Sequence, residues 1–127
     1  MRILIIDDDD DTREIMLHIL RKKGFMIEAV RNGNEAIGIV LQNKPDIIIF
    51  NITLSEIDGL ETGRRLRENP QTRDVPIIFL SSEKNLSGLI HQLPGAKVQY
   101  IEKPCNIRYL IKESNKLIAD STPRQPQ

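Results

Sequence analysis

Residues 46–51 read Asp46-Ile47-Ile48-Ile49-Phe50-Asn51, four large apolar side chains in unbroken succession between two polar ones. A strand with one wet face would alternate. A continuous run of this length suits a strand covered on both faces, as in a parallel sheet flanked by helices. The same pattern recurs along the chain. Ile3-Leu4-Ile5-Ile6 closes on Asp7 and Asp8, Ile77-Ile78-Phe79-Leu80 on Ser81, and Tyr100-Ile101-Glu102 on Lys103-Pro104. The expected strands are 2–6, 25–30, 46–50, 76–80 and 99–101. The last is the weakest, being short and carrying Gln99 and Glu102.

Helical patterns fill the intervals. A helix over 12–23 has Ile15, Met16, Ile19 and Leu20 as its apolar stripe, with Asp11 and Glu14 at capping-box spacing. Lys22 and Lys23 suit its dipole and Gly24 stops it. A second, over 34–42, turns Ala36, Ile37, Val40 and Leu41 inward after the Asn32-Gly33 turn. A third covers 60–68 and ends at Asn69-Pro70. A fourth, over 84–93, has Leu86, Leu89, Ile90 and Leu93 in helical spacing but carries Gly88 and stops at Pro94-Gly95. A fifth, over 107–119, buries Ile107, Leu110, Ile111, Leu117 and Ile118. Five βα units with right-handed crossovers predict a doubly wound, flavodoxin-like α/β fold, a three-layer sandwich. The expected sheet is parallel and five-stranded, in the order 2-1-3-4-5. Residues 1–119 form the domain, and the polar, proline-bearing 120–127 reads as a disordered tail or the start of a linker.

The bulk composition narrows the function. The 127 residues hold 18 acids against 18 lysines and arginines, so no global field points to nucleic acid or an anionic membrane. No apolar run spans a bilayer, and five aspartates follow the first strand where a signal sequence would continue. A single cysteine, Cys105, excludes an internal disulfide framework. A cytoplasmic protein is expected.

In the order 2-1-3-4-5, the carboxyl ends of strands one, three, four and five converge, which is where sites on such sheets are built. Asp7 and Asp8 repel one another there, and a hard cation such as Mg²⁺ would offset the repulsion. Lys103 reaches toward a carboxylate or phosphoryl oxygen, and the Ser81 hydroxyl toward an anion near position 51. The set suits an aspartyl-phosphate site, yet the residue placed as nucleophile is Asn51, whose amide has no anionic oxygen to attack phosphorus. Tyr100 stands where it can swing toward or away from the site. Asp9, Asp10 and Asp11 read as a solvated helix entry. His18 and His91 lack metal-ligand partners, and Cys105 reads as a small buried apolar residue.

These motifs together resemble the response-regulator receiver domain of two-component signalling, the CheY-like family. The acid pair Asp7-Asp8, the loop Asn51-Ile52-Thr53-Leu54-Ser55-Glu56-Ile57-Asp58-Gly59, the Ser81-Ser82 motif and Tyr100-x-x-Lys103-Pro104 occur in the family's order and cover residues 1–119. The resemblance implies a phosphoacceptor at position 51, supplied by a sensor histidine kinase or phosphotransfer protein and read by a downstream output domain or protein. It implies Mg²⁺ held by Asp8, by Asp7 through water, by the residue at 51 and by the Thr53 carbonyl. Lys103 would contact the phosphoryl oxygens, and Ser81 and Tyr100 would report occupancy by moving inward. The face of the fourth and fifth helices with the fifth strand would change shape, and a homodimer through it is compatible with the sequence.

Asn51 departs from the pattern, and Ser55 stands where proline is usual. The expectation is a receiver impaired as a phosphoacceptor, with Mg²⁺ binding weak or absent and no enzymatic activity of its own. Asn51 admits two origins, a natural pseudo-receiver or an engineered acceptor knockout. Two other classes compete. A phosphorylation-independent interaction module follows from Asn51 directly. A phosphatase of the haloacid-dehalogenase type would use Asp8 as nucleophile and Asp10 as general acid, but lacks a further acidic metal motif after the lysine.

Overall fold

A computed structural model describes residues 1–52, 56–82, 93 and 97–120, residues 56–58 by their backbone. Its strands are β1 (Arg2–Asp7), β2 (Met26–Val30), β3 (Ile47–Asn51), β4 (Ile77–Ser81) and β5 (Val98–Glu102). Its helices are α1 (Asp10–Lys22), α2 (Gly33–Gln42), α3 (Glu56–Glu68) and α4 (Ile107–Ala119). The helix expected over 84–93 lies outside the described residues except at Leu93, so α4 here is the helix that follows β5.

All strand pairs are parallel, and the sheet order is β2-β1-β3-β4-β5, as expected. Strand alternation splits the core in two. Leu4, Ile6, Ile48, Phe50, Ile77 and Phe79 face α2 and α3. Ile3, Ile5, Ile47, Ile49, Ile78 and Leu80 face α1 and α4. Both faces are therefore dry, which is why the runs are continuous in sequence. Phe50 and Phe79 stack with ring centroids 5.8 Å apart.

Helix ends follow local chemistry. Gly24, at φ +93°, lets the chain leave α1 while its amide donates to the Arg21 carbonyl. The Asn32 and Asn106 side chains cap α2 and α4 by accepting from the Glu35 and Tyr109 amides. Gly33 opens α2 against α3 so closely that a Cβ there would lie 1.7 Å from Thr62 Oγ1. At the amino-terminal end of the sheet, Arg67 is 4% exposed and donates to the carbonyls of Arg73 and Lys97. It thereby ties α3 to the entry of β5. Burial pushes its guanidinium down to about 10, against the pull of Asp74.

Several sequence expectations need correction. Ile15 is 59% exposed, and Leu41 is exposed as well. Met16 and Leu20 form the buried stripe of α1, with Leu17 partly buried beside them, so the helix is rotated away from Ile15. Asp9, not Asp11, is the N-cap of α1, and no side-chain capping bond forms there; the Asp9 carboxylate accepts from the Thr12 hydroxyl instead. Helix α3 starts at Glu56, ahead of the expected residue 60. Strands β1, β3, β4 and β5 each run one residue further toward the converging end than the apolar patterns alone indicate.

Candidate functional site

That extra residue brings the polar groups into the sheet. Asp7 and Asn51 are register partners on the adjacent strands β1 and β3, and Ser81 and Glu102 are partners on β4 and β5. Asp7 is 0% exposed, and Asn51 and Ser81 are buried. A buried polar group demands hydrogen-bond partners, and Asp7 and Asn51 find them in one another.

Asn51 Nδ2 donates to Asp7 Oδ2 at 2.8 Å, and Lys103 Nζ donates to Asn51 Oδ1 at 2.6 Å. One amide thus stands between a buried carboxylate and an ammonium, presenting a donor to the first and an acceptor to the second. The other Asp7 oxygen, Oδ1, accepts from the Asp9 amide at 2.9 Å. Burial raises the Asp7 carboxyl above its ordinary value; the Asp9 and Asn51 hydrogen bonds oppose that rise, and the Asp8 and Asp9 charges add to it.

The neighbouring strands close the arrangement. The Ser81 backbone carbonyl accepts from the Lys103 amide at 2.9 Å and from the Tyr100 hydroxyl at 3.2 Å. Tyr100 is half-buried and packs on the α2–α3 face of the core. The Lys103–Pro104 peptide is cis. Asp8, by contrast, is exposed at the rim. Thr53 lies outside the described residues, as do Leu54, Ser55 and His91. His18 is exposed on α1, and Cys105 is half-buried against the α1–α4 face, its thiol raised by burial.

A hard divalent cation prefers a cluster of oxygen ligands with surplus negative charge. Here a nitrogen of Asn51 faces Asp7, the amide oxygen is taken by Lys103, and both Asp7 oxygens accept hydrogen bonds. Among the described residues, no three acidic, histidine or cysteine side chains gather as a metal-binding group. The residues as they stand do not fit such a cation.

One contributor escaped the sequence reading. Arg13 Nη1 donates to the Asp7 backbone carbonyl at 2.8 Å, and its guanidinium pairs with Asp10. Its signal was present: Arg13 lies three residues before Met16, on the buried side of α1.

Comparison with known proteins agrees with this fold. The family model for the response regulator receiver domain matches residues 3–115. Response regulator MprA of Mycolicibacterium vanbaalenii is 29% identical over 123 residues, 97% of this chain and 52% of its own length. The chain thus spans about half the length of the curated relatives it matches. Among solved structures, the signal receiver domain of a signal transduction histidine kinase from Syntrophus aciditrophicus superposes with a TM-score of 0.79 at 29% identity. That match covers 99% of this chain and 97% of the other. The receiver domain of sensor histidine kinase PA1611 from Pseudomonas aeruginosa PAO1, solved with a magnesium ion coordinated in its active site cleft, has a TM-score of 0.79. It is 24% identical and shares the fold over 92% of this chain and 96% of its own. No helix among the described residues is long and apolar enough to cross a membrane. The match does not favour the phosphatase reading. With a family model covering nearly the whole chain and the fold in the expected strand order, the chain belongs to the response regulator receiver domains of two-component signalling.

Proposed function

We propose that this receiver domain does not accept a phosphoryl group, because Asn51 occupies the acceptor position. The observation that carries the reading is the Asp7–Asn51–Lys103 bridge. Position 51 ends the central strand β3, in register with the acid of β1 and within reach of the lysine after β5. A carboxylate at that point would have an oxygen free to attack phosphorus. The amide has none, and its oxygen already holds Lys103.

In this reading a divalent cation beside Asp7, Asp8 and Asn51 is held weakly or not at all, since the amide supplies a donor where an anionic oxygen would stand. The magnesium in the PA1611 receiver domain marks what a competent site of this fold takes up. Ser81 and Tyr100 form the switch pair, and their link through the Ser81 carbonyl couples β4 to β5. The domain is a signalling module and not an enzyme. Its partners are a sensor histidine kinase or phosphotransfer protein on the input side and an output domain or protein on the other.

The test is intact protein mass after incubation with acetyl phosphate and Mg²⁺, native chain beside Asn51→Asp. The expected result is a phosphoryl adduct on the variant alone, carried by the new carboxylate at position 51. An adduct on the native chain refutes the assignment of position 51. An adduct on neither refutes the claim that the remaining site is competent.

A further inference from the structure

We infer that Arg13 is a positioning residue of this site, fixing the peptide between Asp7 and Asp8 so that the acid pair keeps its direction. The inference rests on the site reading above. The β1–β2 ladder ends at Ile6↔Val30, one residue short of Asp7. Beyond it, the Asp7 carbonyl takes its donor from Arg13 Nη1 at 2.8 Å. The Asp7 carboxylate is separately held by the Asp9 amide and the Asn51 side chain. Arg13 therefore fixes the peptide plane, and the other two fix the side chain.

Arginine is an expensive residue to bury, and the Arg13 side chain is only 12% exposed. What compensates it is Asp10, one turn earlier on the same helix, which pairs with Nη2 while Nη1 serves the carbonyl. Arg31, just after β2, approaches the same Asp10 carboxylate at 3.9 Å. A planar guanidinium can engage a carbonyl and a carboxylate at once; an ammonium offers a single point. The arrangement ties the turn after β1 to the first turn of α1. Asp8 lies in that turn, immediately after the fixed peptide.

The test is hydrogen exchange by NMR on the native chain, Arg13→Gln and Asp10→Asn, read at three places. These are the Asp9 amide, the Asn51 side-chain amide and the core amides of β3 such as Ile49. If Arg13 positions the turn, Arg13→Gln speeds exchange at Asp9 and at the Asn51 side chain by about tenfold or more, and leaves Ile49 within about twofold. Asp10→Asn gives the same pattern at smaller amplitude. It also decides the matter alone if Arg13→Gln does not fold. Unchanged exchange at Asp9 and Asn51 overturns the inference. So does uniform acceleration at all three places, which is what a purely structural arginine would give. The readout involves no phosphoryl chemistry, so failure here is separable from failure of the acetyl phosphate experiment.

Discussion

Replacing Asn51 by aspartate puts a carboxylate oxygen where Nδ2 now donates to Asp7 at 2.8 Å. A hydrogen bond to a charged group is lost, at a cost of about 1.5–3 kcal/mol. Two carboxylates also face each other, a repulsion of about 4 kcal/mol at about 4 Å and an effective dielectric of about 20. The new charge gains a comparable attraction from Lys103, which already sits 2.6 Å from the residue-51 oxygen. These two electrostatic effects roughly cancel, so the lost hydrogen bond decides the sign. We expect Asn51→Asp to be destabilised by about 2–3 kcal/mol at neutral pH in EDTA. For a chain of this size that is a fall of about 6–12 °C in Tm. A divalent cation should reverse it, because the variant has the third carboxylate that the native donor set lacks. At roughly a hundredfold excess over its Kd the cation returns about 2.7 kcal/mol. Acid should relieve the penalty too, since one shared proton removes the repulsion. The assay is urea denaturation of both proteins with EDTA and with MgCl₂. The native midpoint should not move with Mg²⁺, while that of the variant should drop in EDTA and recover. A variant within about 0.5 kcal/mol of the native chain in EDTA, and indifferent to Mg²⁺, refutes the reasoning.

Other consequences are equally direct. Arg13 and Arg31 hold the Asp10 carboxyl below its ordinary value. Its contribution to stability is therefore present above the ordinary carboxylate range and lost as pH falls through its folded pKa; Asp10→Asn should be less stable than the native chain at neutral pH, and the two should converge in acid. Arg67→Met strands the Arg73 and Lys97 carbonyls while relieving a buried charge, and a net loss of about 2–4 kcal/mol is expected by chemical denaturation. Gly33→Ala drives a methyl into Thr62 and should cost about 1–3 kcal/mol, with part recovered in the Gly33→Ala, Thr62→Ala double mutant. Equal cost in the single and double mutants would show that the clash is absorbed elsewhere.

The sheet was legible because the three inner strands β1, β3 and β4 each carried an unbroken apolar run, and the order 2-1-3-4-5 followed from the βα alternation. Strand ends were less legible. Asp7, Asn51 and Ser81 interrupt the apolar pattern, yet backbone pairing is indifferent to side-chain polarity and carries on through them. In α1 the adjacent pair Ile15-Met16 left the helix phase ambiguous, since successive side chains point about 100° apart. Packing of Met16 and Leu20 settled it against Ile15. The presence of Asp7, Asn51 and Lys103 at one edge could be read from the chain; the way the amide turns between them could not. That orientation depends on where the Asp7 carboxylate and the Lys103 ammonium lie around the amide, three-dimensional facts with no trace in spacing.

The Lys103–Asn51 bond also has a mechanical side. Lys103 follows β5, which among the described residues has a strand neighbour on one side only, whereas Asn51 belongs to the central strand β3. The side chain steps over β4 and moors the margin of the sheet to its middle. A load applied at β5 is thus shared with Asn51 and, through it, with Asp7 on the strand beyond. A protein that grips β5 from outside would be felt at the β1 acid without any bond being made or broken, and slackening at position 51 would in turn free the outermost strand to yield.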